Sequence, residues 1–180
     1  MIELLNDVLE EVKSVIDKID EKEFISAASA ISKERGIFVS GEGRSGLMAK
    51  GFAMRLMHLG YTVYVVGETI TPALNKEDLL VAVSGSGKSS NVISDVKKAK
   101  KIGCEIISFT SNKESDLAKE SDIIVIVPGT VKGDTGLERK SIQLLSSLFD
   151  QSLHIVLDGL CLFLSQRDRI SNESATKTHW

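Results

Sequence analysis

The apolar positions of the chain change period several times, and each change marks an element. Ile2, Leu5, Leu9, Val12, Ile16 and Ile19 recur at helical spacing, with Leu4, Val8 and Val15 widening the stripe. They predict a helix over Ile2–Ile19. Glu21–Lys33, with Phe24, Ala27, Ala28 and Ile31 on one side, predicts a second helix closed by Gly36. From there, short apolar runs predict strands at Ile37–Ser40, Thr62–Val66, Leu79–Val83, Glu105–Phe109 and Ile123–Val127. The run Leu79–Val83 has no polar position, as suits a strand buried on both faces. Helical spacing returns at Leu47–Leu59, closed by Gly60, at Asn91–Ile102, closed by Gly103, and briefly at Asp116–Glu120. Gly129–Lys140 is polar and aperiodic, a loop. Ser141–Ser165 predicts a long apolar helix, and Gln166–Trp180 is a polar tail, partly helical or disordered.

Strands alternating with helices mean an α/β fold: a five-stranded, doubly wound parallel sheet flanked by helices, in one domain over residues 1–180. The two N-terminal helices stand outside the alternation, so they cover a sheet face or build a subunit contact. Ligands of such sheets bind beyond the carboxyl ends of the strands. Gly41–Gly46, Gly67–Pro72, Ser84–Ser90 and Thr110-Ser111 all fall on that edge.

Composition narrows the picture. A net charge of −3, from 22 Lys and Arg against 25 Asp and Glu, gives no reason to expect nucleic acid or an anionic membrane as partner. Cys104 and Cys161, the two cysteines, each have apolar neighbours and read as buried thiols. No apolar run reaches the ~20 residues of a membrane span. The first residues, Met-Ile-Glu-Leu-Leu-Asn-Asp, lack the basic segment of a secretory leader. A cytoplasmic protein is expected.

The chemistry concentrates in the turns. Ser84-Gly-Ser-Gly-Lys-Ser-Ser90 joins a strand to a helix. The free N–H groups and dipole of that helix end, with the hydroxyls of Ser84, Ser86, Ser89 and Ser90, make an anion site. Gly85 and Gly87 let the backbone approach closely, and a phosphate of a small substrate is the expected occupant. Gly87-Lys88-Ser89 resembles the end of a nucleotide P-loop, but Ala82 stands where that motif needs its first Gly. Gly41-x-Gly43-x-x-Gly46, with Glu68 22 residues further on, has the form of a dinucleotide fingerprint. Against NAD stand the short chain and the second phosphate-type turn.

Other residues have two readings. Glu42 and Arg44 flank Gly43 as a solvated pair, or Arg44 grips a phosphate or sugar oxygen. Ser45 caps the helix that follows or donates to substrate. His58 caps the same helix at its far end or moves a proton. Glu68 lies at the ligand edge. Asp150, among Leu144, Leu145, Leu148, Leu153 and Ile155, is a partly desolvated base or sits on an exposed face. His154 reads as structural; Lys132, Arg139 and Lys140 read as solvated loop charges.

These residues carry a resemblance. Gly41-Glu-Gly-Arg-Ser-Gly-Leu-Met-Ala-Lys-Gly-Phe-Ala-Met-Arg-Leu-Met-His-Leu-Gly60, then Val66-Gly-Glu-Thr-Ile-Thr-Pro72, then Val83-Ser-Gly-Ser-Gly87, are similar to the 6-phospho-3-hexuloisomerases of the sugar-isomerase (SIS) superfamily. The resemblance runs over about Ile2–Leu164. It implies an SIS fold with flavodoxin-like strand order, and interconversion of 3-hexulose 6-phosphate and fructose 6-phosphate through an enediol(ate), in the ribulose monophosphate route of formaldehyde assimilation. It implies no metal or organic cofactor, and a homo-oligomer, expected to be a tetramer. By position it implies that Ser45 and Ser84–Ser89 (Ser84, Gly85, Ser86, Gly87, Lys88, Ser89) bind the phosphosugar; Arg44 and Glu68 are expected to join them from their own place at the ligand edge. Leu144-Leu-Ser-Ser-Leu-Phe-Asp-Gln151 matches a family segment read as Pro-Met-Gly-Ser-Leu-Phe-Glu-Gln, so Asp150 stands where Glu is usual. Asp150 is the expected base, with His58 or His179 as proton shuttle; His179 alone matches the family's tail pattern. A phosphosugar-binding sensor without catalysis, and an isomerase of another phosphosugar, are the alternatives.

Overall fold

A computed structural model describes residues 1–136 and 140–179. The helices are α1 (Ile2–Ile16), α2 (Glu21–Ala30), α3 (Gly43–His58), α4 (Ser90–Ile102), α5 (Asp116–Lys119), α6 (Ser147–Arg167) and α7 (Asn172–Lys177). The strands are β1 (Ile37–Gly41), β2 (Val63–Val65), β3 (Leu79–Val83), β4 (Glu105–Thr110) and β5 (Ile123–Ile126). They form one sheet in the order β2-β1-β3-β4-β5, with every neighbouring pair parallel. The doubly wound architecture is therefore the observed one.

Alternation along the strands divides the core in two. Ile37, Val39, Leu79, Val81, Val83, Ile107 and Phe109 pack with residues of α1, α2, α3 and α6. Phe38, Leu80, Ala82 and Ile106 pack on the other face with Val92, Val96 and Ala99 of α4 and Leu117 of α5. The N-terminal helices thus help cover a sheet face. Cys104 and Cys161 are free and buried; burial pushes the Cys161 thiol up to about 12.

Among the boundaries that depart from expectation, two have a visible cause. α2 stops at Ala30 because Ile31 turns extended and buries its side chain. Gly36 is therefore not its cap; the Gly36 amide donates to Asp78 Oδ1 at 3.1 Å instead. The last helix begins at Ser147, not Ser141. Upstream, the Glu11 carboxylate accepts from Ser141 Oγ, Ile142 N and Gln143 Nε2. Leu145, at φ 53, holds a left-handed conformation that no helix accommodates. At the tail, Asn172–Lys177 is a short helix whose N-cap, Ser171, accepts from the Ser174 amide.

α6 also corrects the hydropathy reading, since its 21 residues are long and apolar enough to cross a membrane. Its apolar window is 56% buried inside this fold, so core packing accounts for its character. Its far end is tied down as well. The Arg167 guanidinium donates to Ala28 O, Ile31 O and Tyr61 Oη, while the Tyr61 hydroxyl donates to Asp168.

Candidate functional site

Strand register builds the site. Gly41, the last residue of β1, pairs with Val83, the last of β3. The turns after the two strands therefore leave the sheet side by side, where the strand order reverses direction, the ordinary place for a ligand in such a sheet. Between them lies a cavity of about 440 Å³. Glu42 and Ser45 of the first turn line it, with Ser84, Ser86, Lys88 and Ser89 of the second. Lys132, Gly133 and Ser146 reach it from the segment before α6.

Amides of the second turn are satisfied by β4 and by the turn itself. The Ser84 amide donates to Phe109 O, the Gly87 amide to Ser84 O, and the Lys88 amide to Ser86 Oγ at 3.3 Å. The glycines are also required by packing against the protein. A Cβ on Gly85 would stand 2.9 Å from both Phe149 and Val131, and one on Gly87 (φ 63) would stand 2.2 Å from Ser115 Oγ. Ser89 occupies the N-cap of α4 but makes no cap hydrogen bond. Its hydroxyl donates to the Glu42 carboxylate, as does Asn91 Nδ2. Those two hydrogen bonds, Ser89 first, hold the exposed Glu42 carboxyl below its usual range.

The first turn faces a different carboxylate. α3 begins at Gly43, so Ser45 lies within its first turn and is not the cap. Its Oγ donates to Asp150 Oδ1 at 2.5 Å. Arg44 Nη1 donates to Ser147 Oγ at 2.9 Å, and its Nε stands 3.9 Å from Asp150 Oδ2. Asp150 lies in the first turn of α6 and is 2% exposed, not on an outer face. Burial pushes its carboxyl up; the Ser45 hydrogen bond and the Arg44 charge pull the other way. Asp150 itself does not line the cavity; it lies behind Ser45, which does, with the half-exposed Arg44 beside it.

The remaining candidates lie elsewhere. Glu68 is paired with Lys50 at 2.6 Å and is absent from the cavity wall. His58 closes the opposite end of α3, 13 residues past Ser45, or about 20 Å along the axis. There its buried ring stacks on His179 at 5.1 Å, and Thr178 Oγ1 donates to His58 O. Burial pushes the His58 pKa down. Within one chain neither histidine reaches Asp150. His154 is exposed, 3.7 Å from Asp158, rather than packed among apolar neighbours. Lys132, read as a solvated loop charge, lines the cavity; Arg139 and Trp180 lie outside the described residues. Among the described residues no group of three or more His, Cys, Asp and Glu is placed to hold a metal ion.

Sequence reasoning passed over Glu42, Asn91, Lys132, Ser146 and Ser147 as site residues. The signal for Glu42 was present: a carboxylate one residue past a strand whose neighbour ends in an anion-type turn.

Comparisons with known proteins agree with this fold. The SIS domain family matches residues 30–154. A Bacillus subtilis protein named 3-hexulose-6-phosphate isomerase is 37% identical over 177 residues, covering 98% of this chain and 96% of its own. A Mycobacterium gastri protein of the same name is 39% identical over 175 residues, covering 97% and 87%. A crystal structure from Methanococcus jannaschii, for which a 3-hexulose-6-phosphate isomerase function was inferred, superposes with a TM-score of 0.84 at 31% identity, covering 99% and 98%. With the site and these relatives together, the chain belongs to the SIS-domain family and, within it, to the 3-hexulose-6-phosphate isomerases.

Proposed function

We propose that the chain interconverts 3-hexulose 6-phosphate and fructose 6-phosphate, with Asp150 as the base. The named relatives, similar over nearly the whole chain, support the reaction. The observation that carries the role of Asp150 is its burial at the N-terminus of α6, with Ser45 and Arg44 on its two oxygens. A carboxylate whose pKa is raised by its surroundings is a better base near neutral pH than an exposed one.

In this reading the substrate phosphate lies against Ser84–Ser89 with Lys88 and Lys132 nearby. Arg44 turns from Ser147 toward the reacting oxygens and opens a path to Asp150. Asp150 takes the proton from C2 of the 3-ketose, the C–H electrons form the C2–C3 double bond, and the C3 carbonyl oxygen becomes negative. Arg44 steadies that charge. A proton passes from the C2 oxygen to the C3 oxygen. The C2 carbonyl then forms while C3 takes the proton back from Asp150. No metal or organic cofactor enters these steps.

The transfer between oxygens is assigned to His58 or His179, supplied by a second copy of the chain. The exposed apolar residues Ile2, Leu4, Leu5 and Leu9 on α1 favour such an assembly, a homotetramer in this reading. A cytoplasmic setting in formaldehyde assimilation, with neither nucleic acid nor membrane as partner, completes the proposal. A coupled assay of purified Asp150→Asn protein tests it. Turnover should fall by about 10²–10⁴-fold; near-normal isomerisation removes Asp150 from the mechanism.

A further inference from the structure

We propose that Glu42 is a resident anion of the second turn: its carboxylate occupies, in the free chain, donors that the substrate phosphate takes over on binding. Glu42 thereby sets how tightly phosphate-bearing ligands are held. The inference rests on the reading of Ser84–Ser89 as the phosphate turn.

Ser89 Oγ at the end of the second turn and Asn91 Nδ2 in the first turn of α4 converge on one carboxylate from the other turn. Both belong to the start of α4, where Ser89 holds the N-cap position without capping. The helix end carries partial positive charge and three amides with no intrahelical acceptor. A carboxylate in front of it takes the place a phosphate oxygen would take. Glu42 lines the same cavity as Lys88 and Lys132, so the surroundings favour one anion, and two would repel one another. Glu42 is free to leave. It is exposed, and Gly43 beside it, at φ 57, has nothing within 4 Å of its Cβ position. An uncharged sugar cannot displace it, whereas a phosphate dianion can, and this makes Glu42 a filter for phosphorylated ligands.

The test compares wild type, Glu42→Gln and Glu42→Ala, each checked by thermal melting. Binding of inorganic phosphate is measured by calorimetry, and steady-state kinetics are measured with 3-hexulose 6-phosphate. Glu42→Gln keeps the size and an acceptor but loses the charge. Phosphate affinity should rise about three- to tenfold in both variants, with the kinetic change carried by KM. A clamp that only shapes the turn would give the opposite pattern: weaker binding in Glu42→Ala and no change in Glu42→Gln. Either part of that pattern overturns the proposal. If wild type binds phosphate and Glu42→Gln binds it equally or more weakly, the resident-anion role alone falls. If neither wild type nor the variants bind it at millimolar concentration, the reading of the turn falls as well.

Discussion

Two carboxylates stand near one cavity, Glu42 in its wall and Asp150 buried behind Ser45, and their surroundings treat them oppositely. Glu42 is exposed, receives two side-chain donors and is held below its usual pKa. Asp150 is buried, receives one, and is pushed up. Groups whose environments push their pKa values apart divide the work of a site: the lowered one stays an anion, and the raised one can take and return a proton. The difference comes from position. Glu42 sits on a turn beyond the sheet edge, while Asp150 is drawn inward by Phe149 and Leu153, both fully buried on the same helix.

The largest effect should come from removing the Asp150 charge, and stability separates its role from mere folding. The pKa of Asp150 is raised in the folded state, so its contribution to stability is present at low pH and is lost as pH rises through the raised value. Asp150→Asn should therefore melt at or above the wild-type temperature at pH 8 even as turnover is lost. A lower melting temperature there would contradict the burial argument.

Ser45→Ala comes next. It removes a hydrogen bond that lowers the Asp150 pKa, so the acidic limb of the kcat/KM profile should move to higher pH. The rate should fall by about 10–100-fold, as expected for a bond to a charged group. An unmoved limb would mean that Ser45 does not tune Asp150.

Gly85→Ala presses the second turn against Phe149, the neighbour of Asp150, from 2.9 Å. Overpacking of this kind should cost about 1–3 kcal/mol in denaturant unfolding. It should also disturb both sides of the cavity at once, lowering kcat as well as raising KM. The smallest effect belongs to a third carboxylate on the same sheet edge. Glu68 pairs with Lys50, and both side chains are half exposed. Glu68→Gln should alter stability by less than about 1 kcal/mol and leave turnover within about twofold. A large loss would return Glu68 to the site.

The fold was legible because its signals are local. Leu79–Val83 is apolar throughout since helices cover both faces of β3, and the run reads as a strand without knowledge of its neighbours. Gly103 closes α4 in a left-handed conformation, as its place after Ile102 predicts. What failed to show depends on distant partners. Ser141–Ser146 continues the apolar pattern of α6, yet Glu11, some 130 residues away, claims its donors. The site divides in the same way. The serine turn is a contiguous motif, but the bond between Ser45 and Asp150 joins residues 105 apart, and the one between Ser89 and Glu42 joins residues 47 apart. Neither pairing has a local signature. His58 and Glu68 drew attention for their residue type and motif offset, and neither property states which end of a 16-residue helix, or which edge of a sheet, will face a ligand.

The order of the elements has a consequence for how the chain is made. α6 is the last large element, yet it covers the sheet face formed by Val39, Val81 and Phe109 and packs against α1, the first. During synthesis from the N-terminus, all five strands precede α6, so the part of that face not covered by α1, α2 and α3 stays exposed until α6 has emerged. When α6 does emerge, it is apolar enough to be mistaken for a bilayer segment. Docking onto the sheet is the step that buries more than half of that apolar window.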